Sequence, residues 1–550
     1  MSPELSHHPG TGWARSWPYL GLVIYAVIHN YLFLNQGYSA ALDEGYLQSM
    51  ARRLIEGERL YEDFYFLRPP LSLYIQAALI QVLGDNYTLL AARIFWAGQH
   101  LTTVIIASCL YRPLVKRHEL FFLLIATHIL TGLLLPFPWY SYDAVFLAVL
   151  VVVVVARQKY LMAGLALFLA GMAKQNYLFL LPVTIIVLIL ISFFSRQTKS
   201  AGFSAVGNTF LGFFIPALVY AGYLISQGTA DDFIRNVFVL PSQCHGLAWT
   251  FVIFQDNWRA FIESLPYILA IVLLFYRKRF RWLMIPAALV ILVLYAGAIV
   301  SDVRRFIYFL VYINYTGAVL FFLRGRSRPR TDTDRHDRTW LLTLVLLLVI
   351  QYLSGFNYGG LLFAYMGAGF VFPLTYLNFR DYRSSWPGGL LAALLLLTAI
   401  GLGQYHKYKY VYHDKGRNCL TASVDVPKLR GLLTTPKNKA RVEKLTVMID
   451  SYSDEDDYIL AFPDYPAIYY LTDRRNPSPI GWHYKHEYNK TMLAESIAAL
   501  EKNQPALILI SSDRIPSSLD RILDDRYNYL DTAGTVKIFQ KAATPSPLSK

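Results

Sequence analysis

Cysteine is scarce in this chain. Cys109, Cys244 and Cys419 show neither a metal-ligand spacing nor a disulfide framework, so they read as unreactive thiols. Charge is also thin: 16% of the 550 residues are Asp, Glu, Lys or Arg, against 55% hydrophobic, and the mean hydropathy of +0.35 excludes an ordinary soluble domain. No compact cluster of His, Asp and Glu is present, so the sequence calls for no metal and no other cofactor. The first apolar run, from Trp17 to about Leu34, lacks a small-residue cleavage site and is too long for a signal peptide, which makes it a retained helix. The internal symmetry, Gly/Pro-broken helices and midplane charges of a transporter are not evident either.

Apolar runs able to cross a hydrocarbon layer of ~30 Å recur through the first ~405 residues. They predict thirteen crossings, at 17–34, 90–111, 119–135, 142–156, 160–173, 177–194, 203–226, 261–276, 282–300, 305–323, 339–354, 359–379 and 388–404. The net charge of +14 suits nucleic acid less well than it suits membrane orientation, because Lys and Arg fall largely in short loops between apolar runs. With the N-terminus in the cytoplasm, "YRPLVKRHE", "ARQKY", "SRQTKS", "YRKRFRW", "RGRSRPRTDTDRHDR" and "FRDYRS" all share one side. Keeping that agreement makes "PPLSLYIQAALIQVLG" (69–84) a juxtamembrane helix on the outer surface. The opening loop, "PFPWYSYDA", loop 227–260, "SDVRRF" and "SGFNYGG" then face outward, and 324–338 reads as a cytoplasmic linker. The chain reads as an integral protein of a bacterial inner or plasma membrane.

From about Tyr405 the composition is that of a soluble chain. Short strands are expected at "DYILAFP" (457–463), "ALILIS" (506–511) and "TVKIFQ" (535–540), with helices at "KTMLAESIAALEKN" and "SLDRILDD". The expected organisation is a transmembrane unit (1–404) with an extracytoplasmic loop at 37–89, and a small extracytoplasmic α/β domain within 405–550. Arg474 and Arg475 either meet anionic groups or cap a helix end. The aromatics Trp249, Phe251, Phe254 and Trp258 of loop 227–260 either stack on a sugar or sit in the interface.

Among the polar segments, "ALDEGYLQSMARRLIEGERLYEDFYFLRPPL" (41–71) carries the chemistry. Tyr46, Leu47, Met50 and Leu54 form a helical stripe, with Asp43 and Glu44 at its start. Those acids either favour the helix dipole or deprotonate a hydroxyl. Arg68 suits bidentate phosphate binding, and Pro69 and Pro70 stiffen the backbone beside it.

This order of residues resembles the GT-C glycosyltransferases, in particular the branch of protein O-mannosyltransferases and lipid A aminoarabinose transferases. The match runs from "DE" through "RPPLSLYIQAALIQVLGDNYTLLAAR" to Arg93 and covers residues 17 to 190 best. The resemblance implies a fold of about thirteen helices with long outer loops, a polyprenyl-phosphate-linked sugar donor and no nucleotide sugar. It places Asp43, with Glu44 beside it, as catalytic base and Arg68 as a donor phosphate ligand. It also likens "AGMAKQNYLF" to the family's Lys-containing turn and so implies a phosphate contact for Lys174, which otherwise reads as a lysine reaching for water. Arg93 either contacts phosphate or pairs with an acid. Arg304, beside Asp302 and Arg305, is a further phosphate candidate, and Asp143, Gln175 and Asn357 are substrate-positioning candidates. The acceptor is a lipid, a glycan or a protein. A flippase for lipid-linked sugars, and a polymerase or ligase using diphosphate-linked glycans, stand as alternatives.

Overall fold

A computed structural model describes residues 12–38, 43–134, 137–194, 199–245, 299–325, 334–355, 360–381, 386–411, 414–484 and 487–542, with isolated positions between 246 and 298. Nearly all of the expected crossings 261–276 and 282–300 lies outside the described residues, as do Trp249, Phe251 and Phe254.

The helices are α1 (Gly12–Phe33), α2 (Asp43–Ile55), α3 (Leu71–Leu83), α4 (Thr88–Ser108), α5 (Arg117–Thr131), α6 (Tyr140–Ala156), α7 (Tyr160–Ala173), α8 (Leu180–Phe194), α9 (Lys199–Gln227), α10 (Ala230–Ile234) and α11 (Leu240–His245). They continue with α12 (Val303–Gly325), α13 (Asp334–Ser354), α14 (Tyr365–Asp381) and α15 (Trp386–Lys409). Three described helical segments, Thr88–Ser108, Gly202–Gln227 and Leu362–Arg380, are long and apolar enough to cross a membrane by themselves, which leaves the count of thirteen unconfirmed. Other apolar helices are shorter, among them α6 with 17 residues and α7 with 14.

Several boundaries differ from expectation for local reasons. Lys174 is extended (φ −155°, ψ 122°), so α7 stops there and the next segment restarts through a 3₁₀ turn, Gln175–Phe179, before α8. The expected linker shortens, because α12 continues to Gly325 and α13 begins at Asp334. Part of the expected loop 227–260 is helical, with a π-helical turn at Arg235–Val239 between α10 and α11.

Beyond α15, the antiparallel pair β1 (Ala422–Ser423) and β2 (Leu433–Thr434) precedes α16 (Pro436–Tyr452). A four-stranded sheet follows, in the order β3 (Ile459–Phe462), β4 (Leu507–Ile510), β6 (Val536–Lys541), β5 (Tyr527–Ala533), joined by α17 (Ala467–Thr472), α18 (Lys490–Asn503) and α19 (Ser517–Arg526). β3 and β4 are parallel, as a helical crossover requires; β6 and β5 complete the sheet antiparallel. β5 escaped prediction because "YNYLDTA" is a bulged edge strand exposing Asn528 and Tyr529. Strand alternation splits the apolar residues: Ile459 and Ala461 join the large core shared with the helical bundle, whereas Leu460 and Phe462 pack with Ile508, Leu519 and Leu523.

That shared core binds the opening loop to the tail. Gln36 bridges to Leu433, Tyr65 bridges to Ile480, and the Tyr65 N–H donates to the Pro479 carbonyl at 2.9 Å. On α2, Ser49 donates to the Pro466 carbonyl at 2.5 Å and Arg53 to the Ser478 carbonyl at 2.9 Å. The start of α2 presses so closely on α17 that a Cβ on Gly45 would meet the Ala467 Cβ at 2.0 Å. Gly45→Ala is therefore expected to cost about 1–3 kcal/mol through overpacking. Unfolding in detergent checks this, and an unchanged midpoint would show that the two helices separate readily.

Candidate functional site

Amphipathic periodicity turns one face of α2 inward: Tyr46, Leu47 and Met50 are buried, as the stripe predicts. Burial holds the Tyr46 phenol well above its ordinary pKa, leaving a neutral wall. At the first turn, Glu44 is fully buried and accepts a bidentate pair from Arg93, Nε to Oε1 at 2.9 Å and Nη2 to Oε2 at 2.7 Å. The rest of the Arg93 guanidinium donates to the carbonyls of Leu34 (2.8 Å), Gln36 (3.2 Å) and Gly37 (2.8 Å). Arg93 therefore fastens the end of α1 to the start of α2, the acid-pairing alternative of its two sequence readings. Asp43 opens α2, but its side chain lies outside the described residues.

Arg68 precedes two prolines that end one segment and start α3, so its backbone is fixed; Tyr61 Oη donates to the Arg68 carbonyl at 2.8 Å. Its guanidinium forms a second buried bidentate pair, with Glu487 of the tail at 2.9 and 2.6 Å, and lies 4.7 Å over the Tyr140 ring. Lys174 approaches the same ring, Nζ to centroid 5.6 Å, and donates to Ser141 Oγ at 3.1 Å. It is 6% exposed, and among the described residues no carboxylate lies within salt-bridge distance of it. Arg68 is near enough to repel it. Two cations thus converge on Tyr140 with one carboxylate between them.

Around this cluster, Asp143 on the first turn of α6 is buried and accepts from Gln99 Nε2 at 2.8 Å. Gln175 donates to the Leu67 carbonyl at 3.2 Å, tying the Lys174 turn to the segment before Arg68. Arg304, by contrast, is exposed at the start of α12 and interacts with Tyr410, away from the Tyr140 cluster. Asn357 lies outside the described residues. Arg474 takes the helix-end role: it pairs with Asp450 at 3.2 Å and donates to the Ser453 and Thr472 carbonyls. Arg475 pairs with Asp456. Among the described residues, no group of three or more His, Cys, Asp or Glu is placed to hold a metal ion.

Three participants escaped sequence reasoning. Tyr140 and Ser141 lie in "PWYSYDA", where the aromatic run beside Asp143 was a usable signal. Glu487 had none, since it meets Arg68 across 419 residues.

No protein-family model matches the chain, and no curated protein matches it. Solved structures do. The archaeal oligosaccharyltransferase AglB from Archaeoglobus fulgidus, in complex with an inhibitory peptide and a dolichol-phosphate, is similar over 98% of this chain and 76% of its own, with a TM-score of 0.51 at 14% identity. The apo form of the Archaeoglobus fulgidus oligosaccharyltransferase gives the same score and identity over 91% and 70%. The chain has the fold of these oligosaccharyltransferases. Crystalline apo ArnT from Cupriavidus metallidurans is also similar, over 97% of this chain and 99% of that one, at a TM-score of 0.45 and 12% identity. At these identities the likeness is one of fold. That fold is a helical bundle with a small sheet-containing tail.

Proposed function

We propose that the chain is a membrane glycosyltransferase moving a sugar from a polyprenyl-phosphate-linked donor to an acceptor hydroxyl at the extracytoplasmic face. The observation that carries this reading is the buried excess of positive charge at Tyr140. A buried ammonium that meets a hydroxyl and a ring face but, among the described residues, no carboxylate is costly, and an anion of phosphate geometry offsets that cost. Lys174 and Arg68 bind the donor phosphate, with Arg68 exchanging Glu487 for phosphate oxygens, and together they stabilise the charge that grows on the leaving phosphate.

The phosphate is already a good leaving group, so one carboxylate suffices. Asp43 takes the acceptor proton as the hydroxyl attacks the anomeric carbon from the opposite face, a single inverting displacement. Glu44 is committed to Arg93, so the base role falls to Asp43 and the pair positions it. Asp143 and Gln175 hold the walls. Arg304 is not carried into the donor site.

The test is sugar transfer from defined polyprenyl-phosphate donors in detergent, following donor loss and product together, for wild type and Lys174→Met. Losing one preorganised donor to the leaving group is expected to lower turnover about 10²–10³-fold. Thermal stability should hold or rise, because an uncompensated buried charge is gone. Wild-type turnover confined to diphosphate-linked donors, or a Lys174→Met enzyme of normal rate, would overturn the reading.

A further inference from the structure

A second buried lysine lies at the ends of α1, α5 and α15. Lys407 is 7% exposed, and its Nζ donates to the Gly132 carbonyl at 2.9 Å and sits 5.6 Å from the centre of the Phe33 ring. A lysine at a helix end normally extends to water; this one is turned inward. It lines a small open cleft with Phe33, Gln36, Leu133, Leu134 and Tyr410.

Four observations show what the pocket lacks. No carboxylate among the described residues pairs with Lys407, and the titratable groups that interact with it inside the bundle are His29, His100 and His128, none of them an acid. The nearby acids are engaged: Asp414 accepts from the Tyr38 N–H, Thr434 and Asn438, and Asp302 accepts from the Arg304 N–H at 2.8 Å. Further cations gather at the mouth, with Arg417 5.0 Å over the other side chain of the pocket floor, Phe33, and Arg304 acting on Tyr410. Gln36 Oε1, in a side chain that is 6% exposed, has no hydrogen-bond partner.

We propose that this pocket binds the phosphate-bearing headgroup of a second lipid, distinct from the sugar donor. Lys407 has two N–H donors left after Gly132 and gives them to the phosphate oxygens, while Arg417 closes the mouth. A hydroxyl or amine of the headgroup donates to Gln36 Oε1. Phe33, Leu133 and Leu134 receive the apolar part next to the head, and the chains follow the outward face of α1, where Ile24, Val27 and Ile28 are 52–63% exposed. The pocket borders the loop anchor, since Arg93 donates to the Gln36 carbonyl. Occupancy here would steady the same turn that leads into α2.

The site is tested by binding alone, so its fate is separate from that of the transfer reaction. The full chain, delipidated in detergent, is titrated with phosphatidylglycerol, phosphatidylcholine and inorganic phosphate, and bound lipid is counted by native mass spectrometry. Phosphatidylglycerol is expected to bind most tightly, and Lys407→Met to weaken it about tenfold, the worth of one charge-assisted hydrogen bond. Arg417→Gln, at a part-exposed position where folding is not at stake, should weaken it by a smaller factor. Equal phosphatidylglycerol binding by wild type and both variants would overturn the proposal. Displacement by inorganic phosphate at matching concentration would overturn the lipid assignment in favour of a free anion.

Discussion

An Asp43→Asn enzyme is expected to lose about 10²–10⁴ in kcat, the contribution of a positioned general base, while binding polyprenyl phosphate as well as the wild type. The separation arises because the proposed phosphate ligands, Arg68 and Lys174, are anchored by Tyr140, Ser141 and Glu487 and not by the start of α2. Glu44→Gln provides the contrast. Its carboxylate is wholly buried against Arg93, so its loss should appear first as lost stability. Single-turnover rates beside equilibrium binding of the lipid phosphate distinguish these outcomes. A well-folded Glu44→Gln enzyme that binds lipid but does not turn over, together with an active Asp43→Asn enzyme, would transfer the base role to Glu44.

Arg93→Met is expected to destabilise the protein by about 3–5 kcal/mol, since it strands a buried carboxylate. Three carbonyls of the turn 34–37 lose their donor at the same time. The double variant Arg93→Met/Glu44→Leu should recover a large share, because an apolar pair of similar volume replaces an ion pair whose desolvation was costly. Unfolding midpoints of the two single variants and the double variant in one detergent measure this coupling. Additive losses would mean that the guanidinium serves the carbonyls alone.

How far these features were legible depends on the range of the interaction. Apolar periodicity located the most apolar helices best, since each run carries its own signal: 160–173 coincides with α7, and 142–156 starts two residues inside α6. The inward stripe of α2 was legible for the same reason. A 3.6-residue repeat does not show that Lys174 stops a helix, because the extended backbone there is held by tertiary contacts such as Gln175 with the Leu67 carbonyl. α16 was missed because "PKNKARVEKLTVMIDSY" is mostly polar and buries only Val442, Leu445, Thr446 and Ile449. In the site, residue types pointed to Arg68 and Lys174, but the meeting of both on Tyr140 is set by packing between helices. The tail's carboxylate partner for Arg68 had no local mark at all.

The bridges from Gln36 to Leu433 and from Tyr65 to Ile480 also impose an order on biosynthesis. Segments of a growing chain fold as they emerge, and contacts between residues far apart in sequence wait longest. The opening loop is made early, yet the strand and carbonyls that receive it belong to residues made some four hundred positions later. Through most of translation the loop is without its partner surface, and the Arg68–Glu487 pair forms only once the tail has been made. A chain ended before β2 would carry the early helices without the surface that receives their loop.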